Sequence, residues 1–290
     1  MSGTRTSRRT AVWTLAITGA ALFMAALDNL VVGVALPSIR ADLGGSIEDL
    51  EWTVNAYTLA FAVLLITGAA LGDRFGRKRV FGLGLAVFTG ASALAALAPS
   101  IDLLVAARAL QGVGAALVTP LTLTLVSEAF PPERRGAALG IWGAISGLGV
   151  AIGPLVGGAV VEGISWQWIF WLNVPIGLVL VPLAGRKLRE SYGPDKALDL
   201  PGLALAAAGL FGLTFGIIRG EALGWTSEPV LVALGAGLAL LAAFVWWERR
   251  APEPMLPTRF FASRPFSATN GLSFAMFFGT FGAIFLLSQF

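Results

Sequence analysis

The stretch GLGVAIGPLVGG, Gly147–Gly158, sets five glycines and a proline among apolar side chains only. In water these are the two poorest residues for a helix interior, about 1 and 3 kcal/mol worse than alanine. Yet the stretch lies inside an apolar run, 136–160, that is long enough to cross a membrane. Gly149, Gly153 and Gly157 recur every four residues and so form a groove along one helix face. In lipid, small residues at that spacing let a neighbouring backbone approach closely. Pro154 removes one helix hydrogen bond and favours a kink, and neighbouring helices can re-satisfy the freed carbonyl. With Gly140 before it and Gly158 after it, the pattern predicts a helix that packs closely, bends at a set point and rocks against its neighbour.

Working outward, the whole chain has the composition of a lipid-dissolved protein. Its 290 residues are 56% hydrophobic and only 13% charged, with a mean hydropathy of +0.79. A soluble domain carries about a quarter charged residues. Nine apolar runs are long enough to span, near 12–36, 52–71, 80–98, 103–127, 136–160, 168–185, 199–218, 229–247 and 266–290. The first follows a basic start, MSGTRTSRRT, but it exceeds the apolar length of a signal peptide and lacks a clear cleavage site. It reads as a retained helix. The chain has no cysteine and no histidine. That excludes disulfides, Cys or His metal sites, thiol nucleophiles and histidine proton relays. Any proton chemistry falls to carboxylates.

The sequence pI near 9.8 points first to nucleic acid, but the basic residues are sorted by loop. Alternating the nine runs from a cytoplasmic N-terminus puts seventeen of the twenty basic residues inside. They are Arg5, Arg8 and Arg9; Arg74, Arg77, Lys78 and Arg79; Arg134 and Arg135; Arg186, Lys187, Arg189 and Lys196; and Arg249, Arg250, Arg259 and Arg264. Outside lie only Arg40 and Arg219, and Arg108 falls within a run. This is the positive-inside pattern, because basic loops resist translocation. Trp13, Trp246 and Trp247 mark inner helix ends, while Trp52, Trp166, Trp168, Trp171 and Trp225 mark outer ones. Trp142 alone sits more than a turn inside a span. The reading is an all-α integral membrane protein of about nine spans, multi-pass in the plasma (inner) membrane, with no nucleic-acid partner.

Two charges lie where lipid does not tolerate them. Asp28 sits deep in the first run and Arg108 one to two turns from the outer end of the fourth. A mid-membrane charge costs about 2.5–3.5 kcal/mol, so it faces a partner or a cavity. Arg108, Gln111, Gly112, Ala115, Thr119 and Thr122 fall on one side of the fourth run, a polar or small stripe against Leu, Val and Ala. Asn55, Thr58 and Ala62 form a weaker stripe in the second run, with Tyr57 adjacent. Such stripes predict a water-accessible path between helices, and Asp28 is the candidate proton switch. A structural hydrogen bond for Asp28 and snorkelling for Arg108 are the bland alternatives. The sequence leaves open whether the two pair. Between the second and third runs, LGDRFGRKRV at 71–80 gives Gly72 and Gly76 for a tight turn. Asp73 there can cap a helix or pair with Arg77.

At this point the motifs converge. GDRFGRKR at 72–79, LVAARALQGVGAA at 104–116, GIWGAISGLGVAIGPLVGG at 140–158 and LDNLVVGVALPSI at 27–39 resemble signature stretches of the major facilitator superfamily. The similarity is to its fourteen-span drug:proton antiporters, and SWQWIFWLNVPIGL reads in the same way. Departures are Ala69 where a glycine is expected (Gly68 is adjacent), Gln167 where an arginine is expected, and Gly33 where many members carry a small amide.

The resemblance implies a major-facilitator-type bundle and roles for matching positions. Asp28 and Arg108, with Gln111, Asn55 and Tyr57 beside them, would serve proton coupling or line the cavity. Gly72, Asp73, Arg74, Gly76, Arg77, Lys78 and Arg79 would form a cytoplasmic gate. Gly140, Gly149, Gly153, Pro154, Gly157 and Gly158 would form the antiporter hinge. The implied organisation is a cytoplasmic tail (1–11), a six-helix bundle (12–185), a linker with two extra spans (186–265) and one helix (266–290) of a second bundle. The implied activity is proton-coupled efflux of lipophilic or amphiphilic compounds, with no cofactor beyond the proton gradient. The partners are then a small-molecule substrate, protons and the lipid bilayer. The last run stops at Phe290 with no closing tail, so a missing C-terminal half or a complementing chain is expected to be needed. Alternatives are a nutrient facilitator or symporter of the same architecture, and a truncated membrane protein that does not transport. No G-x-x-x-x-G-K-[ST] stretch is present, which disfavours ATP-driven pumping. No nucleophile–base pair points to an enzyme, and no metal site is expected.

Overall fold

Helices end where the sequence supplies a cap. In the computed structural model, which describes residues 8–193, 199–251, 254, 256 and 258–287, ten α-helices follow one another. They are α1 (Arg8–Leu43), α2 (Ile47–Phe75), α3 (Arg77–Ala96), α4 (Ile101–Ala129), α5 (Pro132–Gly163), α6 (Trp168–Trp171), α7 (Asn173–Lys187), α8 (Leu200–Leu223), α9 (Glu228–Glu248) and α10 (Arg264–Leu287). Ser46 and Asp49 form a reciprocal capping box at the start of α2. Ser100 and Asp199 cap α4 and α8, and Pro132 takes the first position of α5. Between α2 and α3 a single residue, Gly76, reverses the chain at φ +104°, a conformation that favours glycine.

Eight helical spans among the described residues are long and apolar enough to cross a membrane, α6 and α7 counting as one. All nine apolar runs coincide with helices. The ninth is α10, whose end at 288–290 lies outside the described residues, as do Arg5, Lys196 and most of the predicted tail. Helix already begins at Arg8, so the first span starts before residue 12 and runs on to Leu43. The sixth run divides because Pro175 has no N–H to give the Trp171 carbonyl. Leu172 keeps helical angles (φ −57°, ψ −33°), so the chain continues in nearly the same direction across the seam. Large apolar side chains face outward, as in Leu155 (75% exposed), Leu178 and Leu238. Lipid is the solvent that makes this exposure favourable.

Inside the bundle, backbone meets backbone. The central helix is α4, which packs against α1, α2, α3 and α5. A methyl group at Gly114 would lie 2.9 Å from the Gly84 carbonyl of α3, and one at Gly68 or Gly112 would collide with the backbone of Ala116 or Tyr57. It is thus Gly68, next to the expected position 69, that seats α2 on α4. Along α1 and α5, Gly149 faces Phe23 and Ala26, Gly153 faces Leu27 and Leu30, and Gly157 faces Val31. The predicted groove is filled by α1. Gly140 and Gly158 face open space and take no part in it. Helix α5 continues unbroken through Pro154.

The α8–α9 pair forms a hairpin held by Gly209, Gly212 and Gly237, and α8 leans on α2. There Arg219 pairs with Glu48, and Trp52 lies 6.4 Å from Phe215. Helix α10 packs mainly against the short turn Thr258–Ala262 before it, and its described side chains are almost all exposed.

The close approach of α1 and α5 makes a direct test. Gly153→Leu should destabilise the folded protein by about 1–3 kcal/mol, because the added atoms meet a packed neighbour. Gly140→Leu enters open space and should leave the unfolding temperature in lipid nanodiscs unchanged. Equal shifts in both variants would show that the groove does not hold the two helices together.

Candidate functional site

Asp28 is fully buried, and its carboxylate is where three helices meet. Oδ2 accepts from Arg108 Nη1 of α4 at 2.5 Å. Oδ1 accepts from Gln111 Nε2 of α4 at 3.1 Å and from Asn173 Nδ2 of α7 at 2.6 Å. Arg108 is equally buried and is held on three sides. Its Nε donates to the Thr53 carbonyl of α2 at 3.0 Å, and Nη1 also donates to Gln111 Oε1 at 2.8 Å. Nη2 has no hydrogen-bond partner among the described residues, but the guanidinium lies 4.4 Å from the Tyr57 ring centroid and 5.8 Å from that of Phe170. Gln111 closes the network by donating to Ser92 Oγ of α3 at 2.7 Å.

The physical logic is charge satisfaction. Moving an ion into a low-dielectric interior costs several kcal/mol, and a partner offsets this only when the remaining lone pairs and protons are also satisfied. Here the carboxylate takes three donors and the guanidinium three acceptors and an aromatic face. Gly112 makes the geometry possible, because α4 lies directly on the Tyr57 backbone of α2. That contact brings the Thr53 carbonyl and the Tyr57 ring within reach of Arg108.

Four of the five residues predicted for this site therefore come together: Asp28, Arg108, Gln111 and Tyr57. Asn55 is half-buried on α2, and its side chain forms no hydrogen bond among the described residues. The stripe on α4 is sealed between helices at Arg108, Gln111 and Thr122. Thr122 accepts from the indole N–H of Trp142, the one tryptophan placed inside a span, at 3.0 Å. Sequence reasoning missed Asn173, Thr53 and Ser92. For Asn173 there was a signal, since it is the one amide in the run 168–185.

A second charged cluster surrounds the α2–α3 turn. Arg77 bonds Asp73 through Nε at 2.8 Å and Nη2 at 2.7 Å, and it also pairs with Glu128 of α4. Asp73 does not cap α3. That task falls to Glu190, whose Oε1 accepts from the Lys78 N–H at 2.9 Å and whose other oxygen lies 3.6 Å from Arg79. Two backbone bonds add a strap: Arg77 N–H to the Ser191 carbonyl, and Gly193 N–H to the Asp73 carbonyl, both 2.9 Å. Arg74 stacks on its neighbour Phe75, and Gly72 sits under Leu121. Nothing in the sequence links Glu190 to Lys78, 112 residues earlier. At the opposite end, Asp42 accepts from Trp166 Nε1 and Gln167 Nε2, so Gln167 makes a neutral contact to this carboxylate.

An all-helical membrane bundle with a sealed carboxylate–guanidinium pair and a charged inter-helix turn has the make-up of a secondary transporter half. The chain belongs to the Major Facilitator Superfamily, whose description matches residues 18–202. Among curated proteins it is 38% identical to the tetracenomycin C resistance and export protein of Streptomyces glaucescens, over 95% of this chain and 52% of that one. It is 38% identical to the multidrug resistance protein Stp of Mycobacterium tuberculosis (97% and 53% covered). It is 46% identical to the cephamycin export protein CmcT of Amycolatopsis lactamdurans (89% and 54%). The chain spans about half the length of the curated relatives it matches. In fold it is similar to a crystal structure of the POT family transporter PepTSo, with a TM-score of 0.61 at 13% identity over 82% of this chain and 52% of that one.

The network predicts how stability responds to breaking it. Arg108→Ala leaves a buried carboxylate unpaired and should cost about 3–5 kcal/mol. Adding Asp28→Asn should return much of that loss, because no buried charge remains. A double variant no more stable than Arg108→Ala in thermal unfolding would mean that the charge pairing does not hold the cluster.

Proposed function

We propose that this chain is the N-terminal portion of a proton-coupled exporter of lipophilic or amphiphilic drug-like compounds. The observation that carries this reading is the buried Asp28 carboxyl, a group able to gain and lose a proton, sealed inside the bundle against Arg108, Gln111 and Asn173. The names of the relatives, three of which are resistance or export proteins, support the substrate class. One proton moved down the membrane potential supplies about 2.3 kcal/mol per 100 mV, enough to drive useful export without ATP. In this reading Asp28 binds the proton and Arg108 holds the emptied carboxylate. Residues 72–79 form the cytoplasmic gate, and Gly149, Gly153, Pro154 and Gly157 let α5 shift on α1.

In the same reading the chain comprises a tail (1–11), a first bundle (12–185), a linker region (186–265) and the opening helix (266–290) of a second bundle. Alternating access works between two bundles around a midplane site. Export therefore calls on a C-terminal bundle opposite this one, whether on the same polypeptide or on another. The setting is the plasma membrane with the N-terminus in the cytoplasm, supported by the sorting of basic residues and by Lys187 over Trp13 and Arg250 over Trp246 at helix ends.

Two measurements test this. The protein expressed from its full reading frame, reconstituted into vesicles holding a pH gradient, should dissipate that gradient when ethidium is added. Asp28→Asn should abolish the signal, and unchanged proton movement would remove Asp28 from the role. Because the chain has no cysteine, single introduced ones report sidedness cleanly. In intact cells an impermeant maleimide should label Pro99→Cys, at the exposed α3–α4 turn, and spare Lys78→Cys. The reverse pattern would overturn the orientation.

A further inference from the structure

Asp28 touches one residue whose place the fold explains and the proton reading does not use. Asn173 is the first residue of α7, at the seam that Pro175 makes, and it is 1% exposed. Its side-chain amide donates to Asp28 Oδ1 at 2.6 Å, and among the described residues this is its one side-chain hydrogen bond. Gln111, which shares that oxygen, is anchored elsewhere by Ser92 Oγ and by Arg108. The charged or titratable groups around Asp28 are Arg108 of α4, which bonds it, and Tyr57 of α2, whose ring lies against that guanidinium. Residues 136–161 of α5 and 168–185 of α6 and α7 contain none.

We propose that Asn173 is a positioning residue for Asp28, through which the α6–α7 span registers whether that carboxyl is ionised or protonated. The inference rests on the proton-switch reading of Asp28. Oδ2 faces the Arg108 cation, so an arriving proton settles on Oδ1. That oxygen then becomes a donor and can no longer accept two amide N–H groups. Gln111 keeps its place through its other bonds. Asn173 has no second anchor, so its amide either turns its own oxygen to the acid O–H or lets go. The α6–α7 seam is already short of one backbone hydrogen bond, which lowers the cost of a local bend beside Asn173. Proton balance is simple: one proton is gained at Oδ1 and no other bond is broken or formed covalently.

The experiment is an infrared titration of the full-length protein in lipid nanodiscs, following the carbonyl stretch of the protonated carboxyl. Tryptophan emission is recorded alongside it, because Trp168 and Trp171 lie on α6. The wild type should show a titrating band and a matching change in emission, both lost in Asp28→Asn. Asn173→Leu keeps the side-chain volume and removes the donor. It should move the band's midpoint upward by about one to two pH units, the size expected for one lost hydrogen bond to a charged group. It should also uncouple the emission change from the titration. Asn173→Ser, which restores a donor, should bring the midpoint part of the way back, and it serves as the test variant if Asn173→Leu does not fold. A band that titrates normally in both Asn173 variants, with its emission change intact, overturns the role of Asn173 and leaves the Asp28 reading standing. A band that survives Asp28→Asn, or is absent from the wild type, overturns the Asp28 reading and this inference with it.

Discussion

A carboxylate and a guanidinium sealed together inside a lipid-dissolved bundle constrain everything near them. Neither ion is stable there alone, so the surrounding helices must deliver neutral donors and acceptors to fixed positions. Asp28 comes from α1, Arg108 and Gln111 from α4, the Thr53 carbonyl and Tyr57 ring from α2, Ser92 from α3 and Asn173 from α7. Five helices are thus pinned by a single charge pair. The apolar contacts between them are no more favourable than contacts with lipid, so this polar cluster carries specificity that burial alone cannot provide.

Glycine is what allows the helices to come close enough. Hydrogen bonds of 2.5–3.1 Å across three or four helices demand backbones nearly in contact. At Gly112 the α4 backbone lies on the Tyr57 carbonyl, one residue from Gln111. At Gly149, Gly153 and Gly157 the α5 backbone lies on the stretch of α1 that bears Asp28. The two features that looked separate in the sequence, misplaced charges and thin helices, are one arrangement. Cost in helix propensity at the glycines is offset by satisfied charges in the middle.

Much of this was legible beforehand, for physical reasons. Run length reports the solvent, so the spans and their approximate bounds were readable from the sequence, each run coinciding with a helix. Spacing in steps of four reports a helix face, so the α5 groove and the Arg108–Gln111 stripe were readable too. Spacing does not report what lies across from a face. Asn173 and Glu190 reach partners more than a hundred residues away, and only packing reveals those pairs. Gly140 and Gly158 share the motif's composition but not its face, which a count of glycines cannot tell. The α4 stripe proved sealed because hydrogen-bonding groups on one side of a membrane helix serve equally for a wet path or for a dry polar core.

The same spans meet a second time at the other end of the bundle. Asp73 and Arg77 flank the α2–α3 turn, Glu128 closes α4, and Glu190 follows α7 by three residues. Thr10 and Thr14 of α1 line a cleft with Glu128, Glu190 and Ser191. Twenty residues of α4 separate Arg108 from Glu128, which at the helix rise is roughly 30 Å. A bundle fastened by ionic clusters at both ends of its central helix, with glycine contacts between them, resists shear within itself. Two places are held less firmly: the α1–α5 groove, where glycines meet α1 without an ion pair, and the α6–α7 seam, tied to the first cluster by the single Asn173 bond. Of the two, the seam places a side chain directly on Asp28, and in the proposed reading that makes it the point where a change of charge becomes a change of shape.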